Sequence, residues 1–195
     1  MKALSAHFRF VLLIGCLLLW APSCRLPPKQ TERGPNIARA ITQEQTIVGR
    51  VVKVADGDTI TVLEATNTQH RIRLKGIDAP ESHQDFGTKS KQSLSSLIFG
   101  KEVTVAYDKT DQYGRLVGKI MLDGKDINLE QVKSGMAWHY KEYDREQTPE
   151  DRELYARAED EARAARRGLW IDASPVAPSE FRKEQKRARE DARSF

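Results

Sequence analysis

Apolar and β-branched residues recur in short runs between residues 47 and 122, several of them closed by Gly or Asp. Residues 47–54 (IVGRVVKV) form the first run, stopped at the turn pair Asp56-Gly57. Residues 59–63 (TITVL) suit the strand that returns from it. Residues 71–74 alternate basic with apolar positions, as a half-buried strand does. Residues 103–107 and 116–122 supply two further strands, and Asp123-Gly124 after the last favours a tight hairpin turn.

Helical spacing appears between and after these runs. Residues 88–99 carry Leu94, Leu97 and Ile98, with Gly100 as the stop. Residues 126–134 carry Ile127, Leu129 and Val132, followed by Gly135. A third helix is expected over 148–168, with Thr148 as N-cap, Pro149 in the first turn, and Glu150 and Asp151 matching the dipole. Leu154, Ala158, Ala162, Ala165 and Leu169 form its expected inner face, small enough to pack closely on a sheet. Five short strands with one helix inside the series and others after it predict an α+β, mainly β domain. The expected architecture is a five-stranded OB-fold Greek-key barrel with about three attached helices. No repeat occurs at solenoid spacing.

The flanks have another character. In residues 1–24, Lys2 and Arg9 precede an apolar run over 10–20, and Ala21 and Ser23 offer small residues for cleavage. That run is well short of the ~20 residues of a membrane-spanning helix, so an export signal is expected. Cys16 and Cys24 are the only cysteines, which rules out a disulfide framework in the body of the chain. Each is a candidate lipid-attachment site, and a lipid anchor would tether the chain to a membrane. Residues 25–46 read as a linker, 47–172 as the folded domain, and 173–195 as a charged tail. That tail is either a short solvated helix or disordered, and serves as a solubilising end or a weakly phosphate-attracting arm. The expected destination is outside the cytoplasm: secreted, periplasmic or anchored at the cell envelope.

Composition excludes a collagen-like, multi-span membrane or fully disordered chain, since 39% of the residues are hydrophobic and 31% charged. The net charge of +4 permits a nucleic-acid partner without requiring one. Its placement is more informative. Residues 47–175 hold 20 basic and 22 acidic side chains, so the basicity lies at the ends. If this domain handles a polyanion, local charge placement or a metal ion must do so.

Three clusters carry candidate chemistry: Asp56-Gly57-Asp58-Thr59; Arg73-Leu74-Lys75-Gly76-Ile77-Asp78-Ala79-Pro80-Glu81; and Asp111-Gln112-Tyr113-Gly114-Arg115. Each sets acids or an arginine at a strand end. Asp58, Asp78 and Glu81 are hard oxygen donors of the kind Ca²⁺ favours, although an acid beside Gly is commonly just a turn residue. No Cys/His cluster suggests zinc. Arg73 and Arg115 have forks that match two phosphate oxygens; ion pairs with Asp78 or Asp111 are the ordinary alternative. His70, His83 and His139 have no Ser or Cys partner at informative spacing. Trp138, His139, Tyr140 and Tyr143 suit core packing, with base stacking as the other reading.

In combination, DGDT, RLKGIDAPE and DQYGR resemble the staphylococcal nuclease (thermonuclease) family in order and spacing. The likeness runs from about Val48 to Trp170 and takes in Glu81-Ser82-His83-Gln84-Asp85-Phe86-Gly87 and Gly168-Leu169-Trp170. It implies an OB-fold barrel with a Ca²⁺-dependent phosphodiesterase site. Asp58 and Asp78 match the family's metal carboxylates, and Ala79 stands where threonine lends its backbone carbonyl. Glu81 matches the general base, Arg73 and Arg115 the phosphate-binding arginines, and Tyr113 a tyrosine beside the nucleotide pocket or a packing residue at the barrel edge. The expected enzyme is a monomeric nuclease acting on DNA, RNA or both. Two other classes compete: a catalytically silent nucleic-acid-binding OB module, and a membrane-tethered envelope protein using the fold as an interaction surface. Retention of all five charged site residues argues against the silent module.

Overall fold

The computed structural model of the protein describes residues 44–193. The expected export signal, both cysteines and nearly all of the linker lie outside the described residues. Strand β1 (Gln45–Val54) runs antiparallel to β2 (Thr59–Glu64), which continues into β3 (Gln69–Leu74). A short strand β4 (Ile77–Asp78) and helix α1 (Gly87–Ile98) follow. Strand β5 (Glu102–Thr110) pairs with β1, and β6 (Leu116–Leu122) with β5. The barrel closes where β6 meets β3 in parallel, through Ile72↔Leu116, Arg73↔Val117 and Leu74↔Gly118. The result is the expected five-stranded closed barrel with attached helices, the OB fold. Closure leaves none of these five strands as an unpaired sheet edge.

The two-residue strand β7 (Lys125–Asp126) leads into α2 (Ile127–Lys133), capped by the Asp126 carboxylate, which accepts from the Leu129 N–H at 3.0 Å. Strand β8 (Trp138–His139) pairs with β4, so a second small sheet holds the segment around Asp78. After a 3₁₀ segment (Lys141–Glu146) comes α3 (Pro149–Ala164), with Thr148 accepting from Asp151 N–H as the N-cap. A 3₁₀ turn (Gly168–Ile171) precedes α4 (Pro178–Asp191). Of the two states left open for the tail, the helix is the one observed.

One apolar core fills the barrel with Val51, Ile60, Ile72, Leu74, Val105 and Ile120, and continues to Leu94 and Ile98 of α1 and Val132 of α2. A satellite cluster joins Ala162, Leu169 and Trp170 to Phe86 and Trp138. The inner face of α3 differs from expectation. Leu154 and Ala165 are exposed; Tyr155, Ala158, Glu159 and Ala162 face inward. Leu154 sits about 100° around the helix from Tyr155. The larger ring takes the core position, its hydroxyl donating to Asp126 at 2.8 Å. Burial, and after it the charge and hydrogen bond of Asp126, push the Tyr155 hydroxyl pKa upward. Glu159, fully buried, accepts from the His139 N–H at 3.2 Å and pairs with Lys141. The helix therefore packs on α2 and β8 through a mixed face rather than an alanine one.

Candidate active site

Strand register assembles the site. Thr59 pairs with Arg73, so Asp58, one residue before β2, lies beside the Arg73 guanidinium. The parallel seam brings Leu116 opposite Ile72 and so sets Arg115 at the same barrel mouth. Asp78 is fixed by β4, whose partner Trp138 stands opposite it. Asp58, Thr59, Arg73, Asp78 and Arg115, with Ala79, Glu81, Tyr113 and Tyr140, line one cleft of about 750 Å³.

Two buried carboxylates form its floor. Asp58 Oδ2 accepts from the Ala79 N–H at 2.7 Å and pairs with Arg73 Nη1 at 2.8 Å; Oδ1 accepts from the Thr59 hydroxyl at 3.1 Å. Burial pushes the Asp58 carboxyl up to about 7; the Arg73 charge opposes this, while Asp56 and Asp78 add to it. Asp78 Oδ1 accepts from Arg73 Nη2 at 2.9 Å, and Arg73 Nη1 also donates to the Ile77 carbonyl at 2.9 Å. Arg73 thus bridges both aspartates. Arg115 is gripped at Nε by Asp111 at 2.7 Å, and its Nη1 donates to Thr59 Oγ1 at 3.3 Å. Desolvation would raise Asp111, but the Arg115 and Tyr113 N–H groups and the guanidinium outweigh it and hold the carboxyl below its usual range. Both arginines therefore make the ordinary ion pairs and line the cleft as well.

The two loops between strands are shaped by close approach. Gly57 has no left-handed φ; its missing Cβ is what matters, since a Cβ there would meet Ser90 Oγ at 1.8 Å and Ala79 Cβ at 2.7 Å. Gly87 lets the start of α1 approach the Glu81 backbone, where a Cβ would lie 1.9 Å from the Glu81 carbonyl. Gln131 of α2, fully buried, donates to the Gly57 carbonyl at 3.0 Å and so ties the Asp56-Gly57-Asp58 turn to the helical layer. No sequence signal marks Gln131, because it lies on a helix face whose neighbours are known only after docking.

The aromatic cluster divides. His139 is buried with its Nε2 bonded to Gln147, and Trp138 stacks edge-on to Trp170 at 4.4 Å. Tyr140 and Tyr143 instead sit 4.9 Å apart on the cleft wall. Burial, Asp78 and Glu142 push the Tyr140 hydroxyl up to about 12, so it stays protonated at neutral pH. Tyr113 is 68% exposed at the tip of the 111–114 turn, 5.4 Å from the Arg115 guanidinium.

One residue comes from outside the expected cluster. Arg182, on α4, donates to Asp78 Oδ1 at 3.2 Å, Asp78 Oδ2 at 2.9 Å and Glu81 Oε1 at 2.8 Å. These bonds outweigh desolvation and raise its pKa further. Its run of charges gives no sign of which arginine turns inward.

The donors that could hold a metal are all oxygen: the Asp58 and Asp78 carboxylates and the Ala79 carbonyl. Among the described residues no group of three or more His, Cys, Asp or Glu converges as a metal cage. Two carboxylates, with carbonyl and water completing the shell, fit a hard cation and not zinc.

Residues 71–172 match the family described as staphylococcal nuclease homologue. An uncharacterized endonuclease of Haemophilus influenzae is 43% identical over 137 residues, covering 70% of this chain and 74% of its own. An uncharacterized endonuclease of Escherichia coli is 44% identical over 133 residues, covering 68% and 82%. The micrococcal nuclease of Shigella flexneri is 40% identical over 149 residues, covering 72% and 83%.

Proposed function

The chain belongs to the staphylococcal nuclease homologue family, and from that premise we propose a Ca²⁺-dependent nuclease that hydrolyses phosphodiester bonds of DNA, RNA or both with little sequence specificity. The observation that carries the reading is convergence. Asp58, Asp78, Glu81, Arg73 and Arg115, from separate strands and turns, share one cleft. A phosphodiester repels an anionic nucleophile, so a site that cleaves it needs cationic groups around the phosphate and an acceptor for the water's proton.

Asp58, Asp78 and the Ala79 carbonyl would hold the cation, which would supply Lewis-acid polarisation and neutralise the acidic floor. Glu81, half-exposed at the cleft, accepts or orients the proton of the attacking water. Arg115, fixed through Nε by Asp111, presents its fork to the phosphate, and Arg73 compensates charge developing beside the aspartates. Tyr113 offers an exposed ring for a base to stack on. Such stacking suits single strands of any sequence.

The test is cleavage of single-stranded DNA, duplex DNA and RNA by the purified protein, with Ca²⁺ or excess chelator, beside Glu81→Gln. The expected result is Ca²⁺-dependent cleavage, with the variant slower by about 10²–10⁴-fold. Binding without cleavage, alike in both proteins, would replace this reading with the silent binding module. Export through residues 1–24, to a secreted or periplasmic form or, with lipid attachment at Cys16 or Cys24, an envelope-anchored one, belongs to the same proposal. Mass spectrometry of the mature N-terminus checks it.

A further inference from the structure

Arg182 makes demands on the cleft that the proposed reaction does not explain. Its fork takes both oxygens of Asp78 and one of Glu81, two of the three carboxylates on which the proposed function relies. Arg73 already holds the other side of Asp78 through Oδ1. With both guanidiniums in place, Asp78 Oδ2 is committed to Arg182 and Oδ1 is shared between the two. A cation entering there must compete with two guanidinium charges for the same carboxylate. Arg73 is embedded in the barrel mouth, bonded to Asp58 and the Ile77 carbonyl as well. Arg182 is the more exposed of the two, with 41% of its side chain open to solvent against 14% for Arg73.

The element carrying Arg182 is lightly attached. Pro178 is buried and Phe181 half-buried at the first turn, where Phe181 faces a small cleft shared with Pro80 and Trp138. Gln84 Nε2 donates to the Val176 carbonyl at 2.6 Å just before the helix. From Lys186 onward every described residue of α4 is exposed. A helix held to the body mainly through its first turn, one inserted arginine and the half-buried Gln185 can lift away without disturbing the core.

We propose that α4 is a self-inhibitory strap: Arg182 stands in for the cation at Asp78 and Glu81, so that Ca²⁺ binding and α4 docking exclude each other. This rests on the cation site proposed above. The guanidinium neutralises the acidic cleft when no metal is bound, and a divalent cation must expel it to reach Asp78. By linkage, Ca²⁺ loosens α4 by the same factor by which α4 weakens Ca²⁺.

Calorimetric titration of Ca²⁺ into the purified full chain tests this without an activity readout. Arg182→Gln is expected to bind Ca²⁺ roughly 5–150-fold more tightly than wild type, the usual range for such coupling. Arg182→Lys, which keeps a charge but loses the fork, should fall between them. Lys183→Gln, an equal charge change on the neighbouring residue, should stay within about twofold because exposed charges act weakly at a distance. Hydrogen exchange across 178–191 should quicken in wild type on Ca²⁺ addition while barrel amides stay protected. Equal Ca²⁺ affinity in wild type and Arg182→Gln overturns the strap and leaves the cation site standing. Absence of Ca²⁺ binding in all four proteins overturns the cation site itself, and the strap with it.

Discussion

Gly57→Ala is the most exacting check on how the cleft is built. The added Cβ would lie 1.8 Å from Ser90 Oγ, 2.8 Å from Ser90 Cβ and 2.7 Å from Ala79 Cβ. None of these neighbours retreats cheaply. Ser90 is fully buried in α1, and its hydroxyl donates to the Met136 carbonyl at 2.6 Å. Ala79 is held by its N–H to Asp58 Oδ2 at 2.7 Å. Relief therefore requires backbone movement between the barrel and α1. Overpacking of this kind costs about 1–3 kcal/mol, and contact with two buried neighbours places this case near 3 kcal/mol. That is roughly a 150-fold loss in the folding equilibrium. With a urea m-value of about 2 kcal/mol/M, the midpoint should fall by about 1.5 M. Ser90→Gly removes two of the three clashes, at a cost of its own of about 1–3 kcal/mol, from Gly inside a helix and from the Met136 carbonyl left without its donor. In the double variant the penalties should be subadditive by at least about 1 kcal/mol. The site should suffer too, because Asp58 and Ala79 flank the clash. Urea unfolding of the four proteins measures both effects. A Gly57→Ala midpoint equal to wild type, or strictly additive penalties, would refute the close-approach argument and return Gly57 to an ordinary turn glycine.

Two further outcomes are expected. Tyr113→Ala, at an exposed position, should leave stability within about 0.5 kcal/mol of wild type. It should raise KM for single-stranded DNA about 5–100-fold with kcat retained, as loss of one stacked base predicts; a fall in kcat alone would contradict a stacking role. Asp111 has a folded-state pKa below its unfolded value, so its ionised form stabilises the fold above about pH 4, and this contribution fades as pH falls through the lower folded value. The stability advantage of wild type over Asp111→Asn should therefore be constant near pH 6–7 and shrink below about pH 4. An advantage independent of pH down to 2.5 would show that the Arg115 pairing is not its source.

Much of this protein is local in origin, and to that extent the sequence by itself was sufficient. The β-branched runs over 47–54 and 59–63 and the alternating 71–74 became barrel strands because alternation and β-branching act within a few residues. Thr148-Pro149 began α3 for an equally local reason. The acids and arginines of the three clusters were visible because they sit at strand ends, and a strand end is marked by its turn residues. Other features required the chain to close on itself. The β3–β6 seam brings together residues more than forty positions apart and places Arg115 in the same cleft as Arg73. Strands β4 and β8 are two residues each, too short for any period, and exist only because they pair. The inner face of α3 was legible in part: Ala158, Ala162 and Leu169 are buried as their spacing predicts, but packing selected Tyr155 and Glu159 in place of Leu154 and Ala165. Gly57 was legible as a turn residue, but the reason it must be glycine, the approach of Ser90 and Ala79, is a matter of packing. Arg182 shows the limit most clearly. Nothing within its own helix distinguishes it from the other basic residues there. Only docking of the first turn of α4 decides that this guanidinium meets Asp78 and Glu81. Propensity and periodicity act over a turn of backbone, whereas the partners of a charged side chain are set by distances through space that a linear pattern does not encode.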